Sequence, residues 1–464
     1  MPHVVLIGLF AVLLWSLVSR RFQRWGVAGP VGLLVLGAVA VIPDPADFLN
    51  TIDARTTEPI VEIILALLLF VDATEVRGSL FGNAGRVILR LILIALPLSL
   101  LLTVIAGVYL ADFTTIFVLI VMACVVMPTD FAPAAQILRA RNLPSRMRQI
   151  LNVESGYNDG LVSPLFTVAV AVSIEMVPHA AREGDAVGDP VIEDLFRAFD
   201  RALPAITQAV PATVYAIAIG VVLGMLAGWS ARVARARGLA GADGIRIAML
   251  AVPLIAYALA TLPVVSANGF VAAFVAGIAY RLARLGGKGA SEERVIPHEE
   301  LLLAEEVSSF TAQFVWFVLG GVATAALVNG TVTWPLVLFG LLALTVLRIV
   351  PVYLSLMGSG IAPKDRLAIG VIGPRGTASI VFGLLAYNQL PEDDGNVVIT
   401  LMLVTVVGSV LLHGLVVPLL LPRVYPGDGS SGDEHGPGPG GAPPASVPAA
   451  PAAPDQRSSA AGSA

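Results

Sequence analysis

Apolar residues gather into thirteen windows parted by short polar connections, at about 4–18, 27–42, 60–74, 86–110, 115–138, 148–176, 208–231, 246–262, 267–284, 301–322, 333–356, 366–387 and 396–421. One helical crossing of a bilayer takes roughly 20 predominantly apolar residues. A helix also satisfies its own backbone where there is no water. The pattern predicts an all-α polytopic membrane protein of about 13 transmembrane helices within residues 1–421. Thirteen spans divide as six, one and six, the arithmetic of two inverted six-helix repeats. Two windows are interrupted, each the fifth of its six. In the fifth window Pro128 and Pro133 bracket Thr129 and Asp130; in the twelfth Gly370, Gly373, Pro374 and Gly376 surround Arg375. Proline removes a helical hydrogen bond and glycine weakens the turn. Both windows are therefore expected to be discontinuous helices that cross near the midplane.

Composition narrows the class. The 464 residues are 56 % apolar and 13 % charged, with a mean hydropathy of +0.85. A soluble globular chain carries about 25 % charged residues, so a soluble enzyme is excluded. A net charge of −5 with scattered Lys and Arg excludes nucleic-acid binding. The single cysteine, Cys124, permits no intramolecular disulfide and reads as a small buried hydrophobe. Of the 28 basic residues, 22 fall on alternate connections and only Arg55, Arg182, Arg197 and Arg201 on the others. Cytoplasmic loops hold the excess of Lys and Arg, which places the N-terminus outside and the tail inside at a plasma membrane. Arg20, Arg21 and Arg24 follow the first apolar run, the reverse of a cleavable signal peptide, so that run is expected to stay as a helix. Ile192, Leu195, Phe196, Phe199 and Leu203 recur at helical spacing, as in a helix on the membrane surface or an ordinary loop helix. Residues 422–464 turn to Gly, Pro, Ala and Ser and are expected to form a disordered cytoplasmic tail.

Ionisable residues inside the windows are costly unless paired or set on a solvated pathway. The sixth window contains Glu154, Ser155, Tyr157, Asn158 and Asp159 in one run. On a helix Ser155 and Asp159 share a face, and Glu154 and Asn158 share the neighbouring one. Ser155 and Asp159 offer oxygen to a hard monovalent cation. The broken fifth helix adds Thr129, Asp130 and backbone carbonyls freed by its prolines. A carboxylate partly removed from water can hold either a proton or a cation near neutral pH. Competition for one carboxylate is enough for exchange. Arg348, alone in the eleventh window, either pairs with Glu154 or snorkels to the cytoplasmic surface. Arg375 balances the dipoles of the crossing helices or contributes to proton sensitivity, or else caps free carbonyls. Asp72 lines a cytoplasmic funnel or supplies another cation oxygen. His298, Glu299 and Glu300 read as loop surface.

These residues resemble the bacterial monovalent cation:proton antiporters of the sodium/proton exchanger branch. Pro128-Thr129-Asp130 and Glu154 to Gly160 carry the resemblance, supported by Gly373-Pro374-Arg375-Gly376 and Leu69 to Ala73. It implies that Asp159 is the shared proton and cation carboxylate, that Ser155 and the Thr129 carbonyl are ligands, and that Asp130 and Asn158 hold the crossover. It makes Glu154 and Arg348 an interhelical ion pair and Asp72 a weaker carry-over. It also implies a homodimer, with a mobile core at about 86–176 and 333–421 moving against dimerisation helices, and electroneutral exchange. The expected function is Na⁺/H⁺ antiport, with Li⁺ a second substrate and no cofactor. K⁺/H⁺ exchange is the runner-up, because selectivity depends on cavity size and ligand number. A sodium-coupled organic-solute symporter is a third reading, and an intramembrane protease lacks its residues.

Overall fold

In the computed structural model, residues 2–425 are described except 25–27, 44, 46–47, 49–53, 76–83, 132–133, 135–136, 139–142, 181–189 and 287–295. Pro133 and residues 426–464 of the tail lie outside the described residues. Helices joined by turns and short irregular stretches make up the described residues, with no strand among them. In order it forms α1 (Pro2–Arg24), α2 (Gly29–Val41), α3 (Ala54–Glu75), α4 (Gly85–Leu110), α5 (Ile116–Val126), α6 (Ser145–Ala180), α7 (Pro190–Ala236), α8 (Ala242–Thr261), α9 (Gly269–Leu285) and α10 (His298–Val328). There follow α11 (Trp334–Ser355), α12 (Pro363–Val371), α13 (Thr377–Gln389), α14 (Glu392–Leu411) and α15 (Val417–Val424). Every hydropathy window overlaps one of these helices or an interrupted pair, although the fifth overlaps only α5, which covers its first half. Eight of the described helices are long and apolar enough to cross a membrane, and α2 and α5 are shorter apolar helices.

The residues past 422 begin differently from the tail expectation, because α15 runs on to Val424 and Tyr425 donates to Asp365 Oδ1 at 2.6 Å. Residues 190–203 are helical but do not form a separate element. They continue into the seventh window as one helix of 47 residues, about 70 Å at 1.5 Å per residue.

Close helix approach explains several glycines. Gly220, Gly224 and Gly228 recur every fourth residue on α7 and press on α9. A methyl group at any of them would collide with the carbonyl oxygen of Ala272, Ala276 or Tyr280. Small residues at this spacing let backbones meet where no hydrophobic force separates helix from lipid. α9 in turn packs on α3, α8 and α6, while α10 packs on α2. Asn268 caps α9, its Oδ1 accepting from the amides of Phe270 and Val271 at 3.0 and 3.1 Å. Gly286, at φ 86°, ends it in the left-handed region.

Glu300 corrects the reading of its segment as loop surface. It is fully buried at the start of α10, where Arg284 of α9 donates to both carboxylate oxygens at 3.0 and 2.6 Å and Arg235 of α7 lies 3.5 Å away. Two arginines from neighbouring helices neutralise the charge and allow its burial.

Candidate functional site

The two interrupted windows meet. α5 stops at Val126, and Met127 to Phe131 leave the helix. α12 stops at Val371, and the chain regains helix at Thr377. The Asp130 amide donates to the Pro374 carbonyl at 2.8 Å. The Asp130 carboxylate accepts the Thr377 amide at 2.6 Å, an anion on the positive end of α13. Gly376 precedes that helix and its carbonyl accepts the Ile380 amide at 3.2 Å. Arg375 is wholly buried and its guanidinium reaches carbonyls on two other elements, Pro128 at 3.1 Å and Ala343 at 3.4 Å. Of the two sequence alternatives for Arg375, the contacts are those of a cap on free carbonyls.

α6 runs beside this crossing. The Ser155 hydroxyl donates to the Thr129 carbonyl at 2.7 Å, and the Asn158 amide donates to the Thr129 hydroxyl at 2.9 Å. Thr129 is fully buried. One turn along α6 from Ser155, Asp159 is only 3 % exposed, and its Oδ1 has no hydrogen-bond partner among the described residues. Such a group costs free energy unless water, a proton or an ion meets it. It borders a cavity of about 730 Å³ whose walls include Asp72, Asp130, Glu305, Ser308 and Gln313. The cavity extends to Ser19 and Gly29, beside the basic residues that end α1. Asp159 and Asp130 thus stand on the wall of this cavity, and the bonded pair of Ser155 hydroxyl and Thr129 carbonyl lies behind it, one turn away along α6.

On the adjoining face of α6, Glu154 forms a two-pronged pair with Arg348, Oε1 to Nη1 at 3.1 Å and Oε2 to Nη2 at 3.2 Å. Both residues are buried, so Arg348 points inward and does not snorkel. It sits just past an irregular turn at Thr345 (φ −120°, ψ −96°) that divides α11. The Arg348 side chain also fills the space where a Gly373 methyl group would lie, which explains the glycine.

Two buried groups escaped the sequence reading. Arg281, counted among cytoplasmic loop charges, is 1 % exposed and donates to the Tyr157 hydroxyl. His413 is 1 % exposed beside the twelfth-window break. A lone histidine inside the window 396–421 was the available signal for the second. Arg281 lies inside the window 267–284, close enough to its end to be read with the loop charges that follow.

The chain is 25 % identical over 380 residues to a Na⁺/H⁺ antiporter of Schizosaccharomyces pombe, covering 79 % of this chain and 75 % of that one. Its fold is similar to the sodium proton antiporter MjNhaP1 from Methanocaldococcus jannaschii. The structure at pH 8 gives a TM-score of 0.64 at 19 % identity, over 89 % of this chain and 98 % of that one. An electron-microscopy structure of the same antiporter gives 0.62 at 19 % identity, over 94 % and 99 %. The family model for the transmembrane sodium/hydrogen exchangers matches residues 8–423, and the chain, a multi-pass membrane protein, belongs to that family.

Proposed function

We propose that the protein is a secondary transporter exchanging Na⁺, and also Li⁺, for H⁺, with proton and cation competing for Asp159. The observation that carries this reading is Asp159, a buried carboxylate on the wall of the cavity with its Oδ1 unpartnered among the described residues, one turn from Ser155 and its bonded Thr129 carbonyl. A cation bound there draws on Asp159, Ser155 and Thr129, a set of hard oxygen ligands. A proton on Asp159 removes the charge that holds the cation, so loading one expels the other. Asp130 and Asn158 fix the ligands in place, and Asp72 lines the approach. Glu154 and Arg348 tie α6 to α11 without taking part in the exchange.

The same reading makes α4–α6 and α11–α15 the moving core and the remaining helices the dimerisation scaffold. The likeness to antiporters supports alternating access, and the distribution of Lys and Arg supports an N-terminus outside and a C-terminus in the cytoplasm of a plasma membrane. The test is the collapse of a preset ΔpH in everted vesicles on adding Na⁺, Li⁺ or K⁺ in turn. Na⁺ and Li⁺ are expected to dissipate the gradient, and Asp159→Ala and Asp159→Asn to abolish the response. A response to K⁺ alone would replace the substrate, and full exchange in either Asp159 variant would overturn the mechanism.

A further inference from the structure

The unwound stretch Gly373-Pro374-Arg375 has its peptide groups held from two sides. Asp130 supplies the donor for the Pro374 carbonyl. The other contacts come from α14 and the turn that follows it. Ser409 Oγ accepts the Arg375 amide at 2.7 Å, and His413 Nε2 lies 3.2 Å from the Gly373 amide and 3.1 Å from the Val371 carbonyl. His413 Nδ1 lies 3.2 Å from Ser409 Oγ and 3.0 Å from the Ser409 carbonyl. Ser409 is fully buried and His413 nearly so.

Each ring nitrogen therefore faces one group that can donate and one that can accept. With the proton on Nδ1, the ring donates to the Ser409 carbonyl and accepts from Gly373. With the proton on Nε2, it donates to Val371 and accepts from the Ser409 hydroxyl, whose lone pair still takes the Arg375 amide. Both neutral tautomers bridge the break. His413 is placed for this by a π turn at Leu412–Val416, which rotates the helix face relative to a regular α-turn; such turns recur at functional sites.

We propose that His413 and Ser409 act as one positioning unit for the cation site. The chain of contacts is short. Ser409 and His413 fix the backbone of Gly373 and Arg375; the Arg375 guanidinium fixes the Pro128 carbonyl; the next carbonyl, Thr129, is the oxygen bonded to Ser155. The ring touches neither proton nor cation at Asp159. Its loss shifts the Thr129 carbonyl relative to Ser155 and Asp159, which weakens cation binding more than it slows the loaded transporter.

This inference rests on Na⁺/H⁺ exchange, and its test separates the two. In proteoliposomes, His413→Phe keeps a planar aromatic ring but no bridge, whereas His413→Gln keeps one donor and one acceptor. The Phe variant is expected to raise the apparent KM for Na⁺ about tenfold, the scale of one or two lost buried hydrogen bonds, with the maximal rate within twofold. The Gln variant is expected to recover most of that affinity, and the Na⁺-induced rise in melting temperature to follow the same order without any transport. Ser409→Ala is expected to raise the KM similarly, and the double variant to be no worse than the poorer single one. An unchanged KM in the Phe variant, a Gln variant as weak as Phe, or multiplying effects overturns the positioning unit. If His413→Phe fails to fold, the KM of Ser409→Ala decides. A wild-type protein that neither exchanges Na⁺ nor is stabilised by it overturns the functional reading instead.

Discussion

At the scale of single residues, the proposed exchange separates charges that stay from one that changes hands. Glu154 and Arg348 meet through one hydrogen bond and a second ion contact in a buried position. Removing one partner of such a pair leaves an uncompensated buried charge and costs about 3–5 kcal/mol, while removing both costs far less. Arg348→Gln is therefore expected to lower the melting temperature and folded yield in detergent, and Glu154→Gln/Arg348→Gln to recover most of the loss. If the single variant is as stable as the wild type, the pair is not a structural tie. Arg375 stays fixed for a different reason, since its partners are carbonyls that no other described group caps at the crossing. Asp159, which lines the cavity and has an oxygen unpartnered among the described residues, is the contrast.

At the scale of elements, the sequence shows the helices through their period and the breaks through proline and glycine, because lipid leaves few other solutions. Pro128 and Arg375 could be assigned to interruptions, yet their mutual hydrogen bond could not, since hydropathy records burial and not the neighbour. Glu300 fails for the same reason: it looked like a loop residue until Arg284 and Arg235 arrived from other helices. His413 was hidden by its own helix, whose apolar content masks one polar residue. The contact of α7 with α9 is legible only as a spacing of glycines. Ala276 and its neighbours present rigid backbone there, not side chains that can yield. Gly224→Leu is expected to force the two helices apart, at about 1–3 kcal/mol or more for overpacking, seen as loss of the monodisperse species on size exclusion. Gly238→Ala, at a turn with no neighbour within 4 Å but at φ 66°, is expected to cost only the local strain of a left-handed alanine, about 1 kcal/mol. Equal losses from the two changes would remove close helix contact as the reason for the α7 glycines.

At the scale of the whole molecule, the stoichiometry follows from how many charges change occupant during a cycle. The Glu154–Arg348 pair is neutral as a unit, Arg375 is bound to backbone, and the Asp130 carboxylate is engaged by the start of α13. With Asp159 alone alternating between H⁺ and Na⁺, the core carries the same net charge in both directions, and one proton returns for each cation. Moving one uncompensated charge through 100 mV is worth about 2.3 kcal/mol. An electrogenic cycle would then shift the Na⁺ gradient at which flux stops by about fifty-fold over that voltage. The electroneutral cycle shifts it by nothing. Proteoliposomes clamped with K⁺ and valinomycin at 0 and −100 mV are expected to reach the same null gradient of Na⁺ against H⁺. A null point that moves with the voltage requires a second titrating group in the core, and Asp72 and Asp130, which border the same cavity, are where its proton would be sought by neutralising each in turn.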